Sequence, residues 1–220
     1  DLSGNDIEFH HFNSDVFGTF ADSMNRFTIG TMFRIMLPDI MPDLKKIIYL
    51  DTDLFVNTDI EELWNLNIDN YCLAAAPDCS TIRNWGTPYA VAAGQTRRDR
   101  YFNAGVLCMN LDNIRKNGSL FQQVMDYVSD NPRTWLPDQD ALNAIFSGKT
   151  LLIDEKWNYF IDEARKNNEK AEKKIYHYAA TLLMLHTNNE IDRACYFTIL
   201  RTPWGEQMED GLLCNSMGRS

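Results

Sequence analysis

The sequence predicts an α/β fold, a doubly wound and mostly parallel sheet with helices on both faces. Three observations lead there. Short apolar runs alternate along the chain with stretches of helical spacing. One such run, Ile47-Ile48-Tyr49-Leu50, is continuously apolar, as in a strand buried on both faces of a parallel sheet. Two aspartates, Asp51 and Asp53, follow it at once, at the carboxyl edge where sheets of this kind bind ligands.

Each element can be justified in turn. Ile7 and Phe9 alternate within residues 6–12, which suits a short strand. Ile29, Met32, Phe33, Met36 and Leu37 recur at helical spacing and predict a buried helix face that Pro38 and Pro42 end, with Arg34 projecting away from it. After the strand at 46–50, residues 59–64 read as a capped turn of helix with its acids at the N-terminus, and 71–76 as a further strand. Residues 77–100 are rich in Pro, Gly, Thr and Arg without periodicity; so long a connection is usually functional, and it is the candidate lid or acceptor loop. Within it and at its end, Arg97, Arg98 and Arg100 form a solvated basic turn that could meet an anionic acceptor.

A strand resumes over 101–111, interrupted by Asn103-Ala104-Gly105, and a helix is expected from about 112 to 130 with Leu120, Val124 and Val128 on one face. Pro137-Asp138 opens another helix, with Asp138 as N-cap, which Gly148 closes. Residues 150–153 read as a strand, 162–174 as a solvated helix or loop, and 175–178 as a last short strand. No internal repeat appears, so the expectation is one domain over 1–220, with 179–220 as an atypical C-terminal segment.

Composition narrows the function. At 220 residues, 45% hydrophobic and 24% charged, the chain can bury a sizeable core without disulfides or structural metal. No apolar run approaches the ~18 residues of a membrane span, which leaves only peripheral membrane contact open. Thirty-one acidic residues against 21 basic ones give a net charge of −10, the wrong field for a nucleic-acid groove. Any anionic ligand must therefore be met by local cations or a bound metal. The five cysteines (Cys72, Cys79, Cys108, Cys195, Cys214) are an odd set without C-x-x-C spacing, read as reduced thiols of a cytosolic protein. Asp1-Leu2-Ser3-Gly4 does not look like a native start, so an upstream piece is expected to be missing.

The D-x-D after an apolar strand is the strongest local signal. Hard oxygen ligands suit Mg²⁺ or Mn²⁺, and such a cation can bridge a diphosphate; the competing reading is that the aspartates only cap a strand and turn. Asn103-Ala104-Gly105 would allow close polar approach of a small ligand, or else mark a bulge. Asp138-Gln139-Asp140 either caps a helix or sets a carboxylate and an amide beside a reacting sugar. His177, at a strand end, is either a hydrogen-bonded core residue or a third ligand favouring Mn²⁺ over Mg²⁺. Trp157 and Tyr159 read as core aromatics, with lining of an acceptor site as the lesser alternative.

In this order the pieces resemble glycosyltransferase family 8, retaining enzymes of GT-A-like fold that include bacterial lipopolysaccharide galactosyl- and glucosyltransferases and glycogenin. The resemblance rests on Phe33-Arg34-Ile35, Tyr49-Leu50-Asp51-Thr52-Asp53, Tyr101-Phe102-Asn103-Ala104-Gly105-Val106, Asp138-Gln139-Asp140-Ala141-Leu142-Asn143, Lys156-Trp157-Asn158-Tyr159 and the histidine of Ile175-Tyr176-His177-Tyr178. It implies Asp51, Asp53 and His177 as Mn²⁺ ligands, with Mg²⁺ as the alternative cofactor. It implies donor contacts from Arg34, the Thr52 backbone, Asn103, Ala104, Gly105, Asp138 and Ala180, and a catalytic role for Asp138 and for Gln139 near the anomeric carbon. The donor would be UDP-glucose or UDP-galactose and the acceptor a glycan.

Two departures stand out. The family pattern begins with a strand and loop that hold the nucleoside, after which this sequence is expected to start. It also follows the metal histidine with a glycine and a lysine, where this chain has Ala180 and Leu183. A non-catalytic nucleotide-sugar-binding relative is therefore the alternative. A haloacid-dehalogenase-type phosphatase stands well behind, because its D-x-D strand comes near the start of its domain.

Overall fold

The computed structural model describes residues 7–9, 29–78, 100–132, 134, 136–161, 175–178, 195–200 and 211–216, with backbone alone for 7–9, 29–32, 195–200 and 211–216. The elements are β1 (Ile7–Phe9), α1 (Ile29–Ile40), β2 (Lys46–Asp51), β3 (Leu54–Val56), α2 (Glu61–Trp64), β4 (Leu73–Pro77), β5 (Phe102–Asn110), α3 (Leu111–Arg115), α4 (Leu120–Asp130), α5 (Pro137–Ile145), β6 (Thr150–Leu152), a 3-10 turn (Glu155–Asn158), β7 (Tyr159–Phe160), β8 (Ile175–His177), β9 (Cys195–Leu200) and β10 (Gly211–Ser216). Residues 79–99 of the lid candidate at 77–100, with Arg97 and Arg98, and the polar stretch at 162–174 lie outside the described residues, as do Cys79 and the segment holding Ala180 and Leu183.

A seven-stranded sheet runs in the order β1-β10-β9-β2-β5-β4-β6, and a three-stranded one in the order β3-β8-β7. The α/β expectation holds, but the larger sheet is mixed rather than mostly parallel. β4 pairs parallel with β6 and β1 with β10, whereas β5 is antiparallel to both β2 and β4, β9 to β2, and β10 to β9. An apolar strand buried on both faces looks the same in either direction, so the run at 47–50 carried no directional information. Direction matters for the site. Because β5 runs against β2, with Leu50 opposite Val106, its first residues lie beside the carboxyl end of β2 and its aspartates.

The pleat of β2 divides the core. Ile47 and Tyr49 face α1, α4 and α5, with Phe33, Leu37, Leu107, Val124, Leu142 and Phe146 in the same apolar cluster. Ile48 and Leu50 face the other way, into Leu63, Ile68, Val106, Trp157 and Ile175. Among the described residues, α1, α4 and α5 cover one face, and the single turn α2, the 3-10 turn and the smaller sheet pack against the other.

Two helices differ from expectation. The stretch at 112–130 is split into α3 and α4, because Gly118 takes φ 91° and Ser119, whose side chain accepts from Gln122 N, caps a new start. α1 runs through Pro38 and ends two residues later at Ile40. Gly148, at φ 74°, follows α5 as expected, but the N-cap of α5 is Leu136, so Asp138 stands inside the first turn. Cys72 and Cys108 are buried free thiols, and no helix among the described residues is long and apolar enough to cross a membrane.

Candidate active site

β2 delivers Asp51 at its last position, and a two-residue turn carrying the exposed Thr52 brings Asp53 to the start of β3. β3 then pairs antiparallel with β8, setting Leu54 opposite His177, while Tyr178 N donates to Asp53 O at 2.9 Å. The two aspartates and the histidine, more than a hundred residues apart in sequence, meet by this pairing. One ligand atom from each lies within 4.8 Å of the others, the one such carboxylate, histidine or cysteine cluster found among the described residues. His177 is buried, but Asp51 and Asp53 keep 22% and 27% of their side chains exposed, so a ligand can reach them.

The donor set fits a divalent cation. Two carboxylates and an imidazole suit Mn²⁺, with Mg²⁺ the harder-ligand alternative. Ligands on one such ion at about 2.1 Å stand within about 4.2 Å of each other, a contraction of well under 1 Å from the separation seen. His177 Nε2 faces Asp53 Oδ1 at 3.3 Å. Burial opposes the charge on Asp53, but hydrogen bonding and attraction from His177, aided by Arg34, hold its carboxyl below the usual value.

Arg34 leaves α1 on the side of Asp51 and is 4% exposed. Its Nη2 meets Asp51 Oδ1 at 3.1 Å and its Nε meets Asp138 Oδ2 at 3.2 Å, while Nη1 donates to Ala104 O and the guanidinium lies 4.7 Å above the Tyr49 ring. The Tyr49 hydroxyl donates to Asp51 Oδ1. Burial disfavours charge on Arg34, yet Asp51, Tyr49 and Asp138 together push its pKa further above the ordinary arginine value. Burial likewise raises the Asp138 carboxyl, with Arg34 opposing and Asp51 adding to the rise. Arg34 thus acts as a clamp that holds two carboxylates in one small volume.

Asn103, Ala104 and Gly105 form the floor. A Cβ on Gly105 would stand 2.4 Å from His177 Cε1 and 2.9 Å from Asp51 Oδ2, so glycine is required for close approach here. Ala104 N donates to Gln139 Oε1 at 2.9 Å, and Gln139 Nε2 donates to Asp78 Oδ2 at 2.8 Å and to the Tyr101 hydroxyl oxygen at 3.1 Å. Tyr101 donates in turn to Asp140 Oδ1 at 2.6 Å, and Thr134 donates to the other oxygen of that carboxylate. Asn143 ties α5 to β5 by exchanging bonds of 2.9 Å with Phe102 N and O. From Gly105 the network runs the other way: Gly105 N donates to Asn103 Oδ1 at 2.8 Å, Asn103 Nδ2 to Asp78 Oδ2 at 3.2 Å, and Asn158 Nδ2 to Asn103 Oδ1 at 2.7 Å. Asn158 Oδ1 lies 2.8 Å from His177 Nδ1.

The structure brings Asp51, Asp53, His177, Arg34, Asn103, Ala104, Gly105, Asp138 and Gln139 to one corner. Trp157 and Tyr159 are buried, as read from the sequence. Asp78, Tyr101 and Asn158 went unassigned in the sequence. The signal for Asp78 was available: it is an acid directly after a strand that runs in the same direction as β2, and so emerges at the same edge.

An α/β domain with a cation-ready D-x-D and histidine at one sheet edge, lined by amides and a buried arginine, defines a GT-A-type fold, and comparison with known proteins agrees. The galactosyltransferase LgtC, solved with donor and acceptor sugar analogs, superposes with a TM-score of 0.64 at 24% identity, over 76% of this chain and 64% of that one. A putative glycosyltransferase of Haemophilus influenzae is 33% identical over 144 residues, 65% of this chain and 43% of its own length. The lipopolysaccharide 1,3-galactosyltransferase of Salmonella typhimurium is 26% identical over 196 residues, 83% of this chain and 57% of its own length. The profile of glycosyl transferase family 8 matches residues 5–186, and the chain belongs to that family. It spans about half the length of these curated relatives. The phosphatase alternative falls with this match.

Proposed function

We propose that the chain acts as a retaining hexosyltransferase, moving glucose or galactose from a UDP-sugar to a glycan or lipopolysaccharide-type acceptor. Mn²⁺ would be held by Asp51, Asp53 and His177. The observation that carries this reading is the convergence of those three ligands, from two distant segments, beside the polar floor at Asn103–Gly105 and the start of α5. A bound cation supplies positive charge against the diphosphate as the leaving group departs.

The chain's own residues do the positioning. Arg34 holds Asp51 toward the ion and Asp138 toward the sugar, where that carboxylate accepts from hydroxyls. Gln139, beside the anomeric carbon, has its oxygen engaged by Ala104 N and its nitrogen by Asp78 and Tyr101, which makes it a rigid dipole and a poor nucleophile. That favours front-face substitution, with the acceptor attacking beside the leaving group, over a covalent double displacement. A cytoplasmic location belongs to the same reading and is supported by the free thiols of Cys72 and Cys108.

Calorimetric titration of UDP-glucose and UDP-galactose, with Mn²⁺ and with EDTA, tests the proposal. Metal-dependent binding followed by UDP release supports it. Binding without release makes the chain a nucleotide-sugar-binding relative instead. No binding under either condition removes the donor reading for this chain.

A further inference from the structure

We infer that Asn158 is a positioning residue that fixes the tautomer of the metal-facing imidazole of His177, and that its own orientation is dictated by the Gly105 backbone and the Asp78 carboxylate. A backbone N–H can only donate, so the 2.8 Å bond from Gly105 N identifies the Asn103 side-chain atom it meets as oxygen. The nitrogen of that amide is left to donate to Asp78 Oδ2 at 3.2 Å. The Asn103 oxygen also accepts from Asn158 Nδ2 at 2.7 Å, which turns Asn158 Oδ1 toward His177 Nδ1 at 2.8 Å. An amide oxygen there requires the ring proton on Nδ1. The Nε2 edge of the ring is thereby left facing Asp53 Oδ1 at 3.3 Å, on the side where the proposed metal would lie.

Burial makes the chain of bonds decisive: Asn158 is 1% exposed and Asn103 8%, so water offers the amides no alternative partner. Phe160, stacked on the His177 ring at 5.4 Å and 15°, fixes the ring plane but not its proton. Gln139 Nε2 shares the same Asp78 oxygen, so the metal end and the sugar end of the site hang on one carboxylate.

The consequence for metal affinity rests on the proposed cation site; the tautomer itself does not, and two measurements keep them apart. In the metal-free 220-residue chain at alkaline pH, long-range proton–nitrogen correlation should show His177 as the Nδ1–H tautomer, its signals assigned by their loss in His177→Gln. An Nε2–H tautomer overturns the inference, whether or not metal binds. Mn²⁺ titration followed by the paramagnetic resonance of the free ion should give roughly 10–100-fold weaker binding for Asn158→Leu, in which the ring should also lose its Nδ1–H preference. Equal affinity in wild type and a folded Asn158→Leu overturns it. Should the wild type bind no Mn²⁺, the metal reading falls, and the tautomer measurement decides this inference; it decides also if Asn158→Leu does not fold.

Discussion

At the Asp51 corner of the site two carboxylates stand close together: Asp53 meets His177 Nε2 at 3.3 Å, and Asp51 is balanced by Arg34. At the Gln139 corner the amides pair donor to acceptor, Ala104 N to Gln139 and Gln139 to Asp78 and Tyr101, deep in the protein. On the proposed reading the first arrangement receives a cation, and its two aspartates keep part of their side chains exposed. The second is complete as it stands. A site can thus divide its work between a corner that binds and a corner that is already set.

The largest effect expected is at the first corner. Asp53→Ala should reduce Mn²⁺-dependent UDP release to background with only a small fall in melting temperature, since its carboxylate is partly exposed and, among the described residues, meets the His177 ring alone as an ion-pair partner. Asp51→Ala should match it in activity and also melt lower, because Arg34 loses one of its two carboxylates. Equal melting in the two variants would break the distinction between the aspartates.

Arg34→Met comes next. It leaves Asp138 buried without its ion pair, an arrangement that costs about 3–5 kcal/mol, read from chemical denaturation. A loss below 1 kcal/mol would show that the clamp is dispensable to the fold. Gly105→Ala should cost about 1–3 kcal/mol through overpacking and weaken Mn²⁺ binding, because the new methyl displaces His177 and Asp51 together. Wild-type calorimetric affinity in that variant would contradict the close-approach argument.

The smallest effects belong to the second corner. Gln139→Leu should cost about 1–3 kcal/mol by orphaning Ala104 N, and lower turnover without changing Mn²⁺ affinity. Tyr101→Phe should cost about 1 kcal/mol, again with metal binding intact. A change of metal affinity in Tyr101→Phe would mean that the two corners are coupled through Asp78 more tightly than their separate hydrogen bonding implies.

Legibility followed the same division. Asp51 and Asp53 were readable as two carboxylates directly after an apolar strand, whereas His177 was readable only as a residue at a strand end, and its place beside them came from the family resemblance. Asn158 was passed over beside the more obvious Trp157 and Tyr159, since an amide next to core aromatics carries no signal until its partners are known. Arg34 was readable as lying off the apolar stripe of α1, but not as the link between Asp51 and Asp138.

The sequence by itself determined the α/β class, most of the longer elements between residues 29 and 177, the D-x-D at a strand's end and the family resemblance, because these reside in local spacing and in residue chemistry. Only the tertiary structure decided that β5 runs against β2, that Arg34 serves two carboxylates, and that Gly105 must lack a side chain beneath His177. Strand direction and hydrogen-bond partnership are properties of segments brought together from far apart, and an apolar run or an asparagine reads the same in the sequence whichever neighbour it will meet.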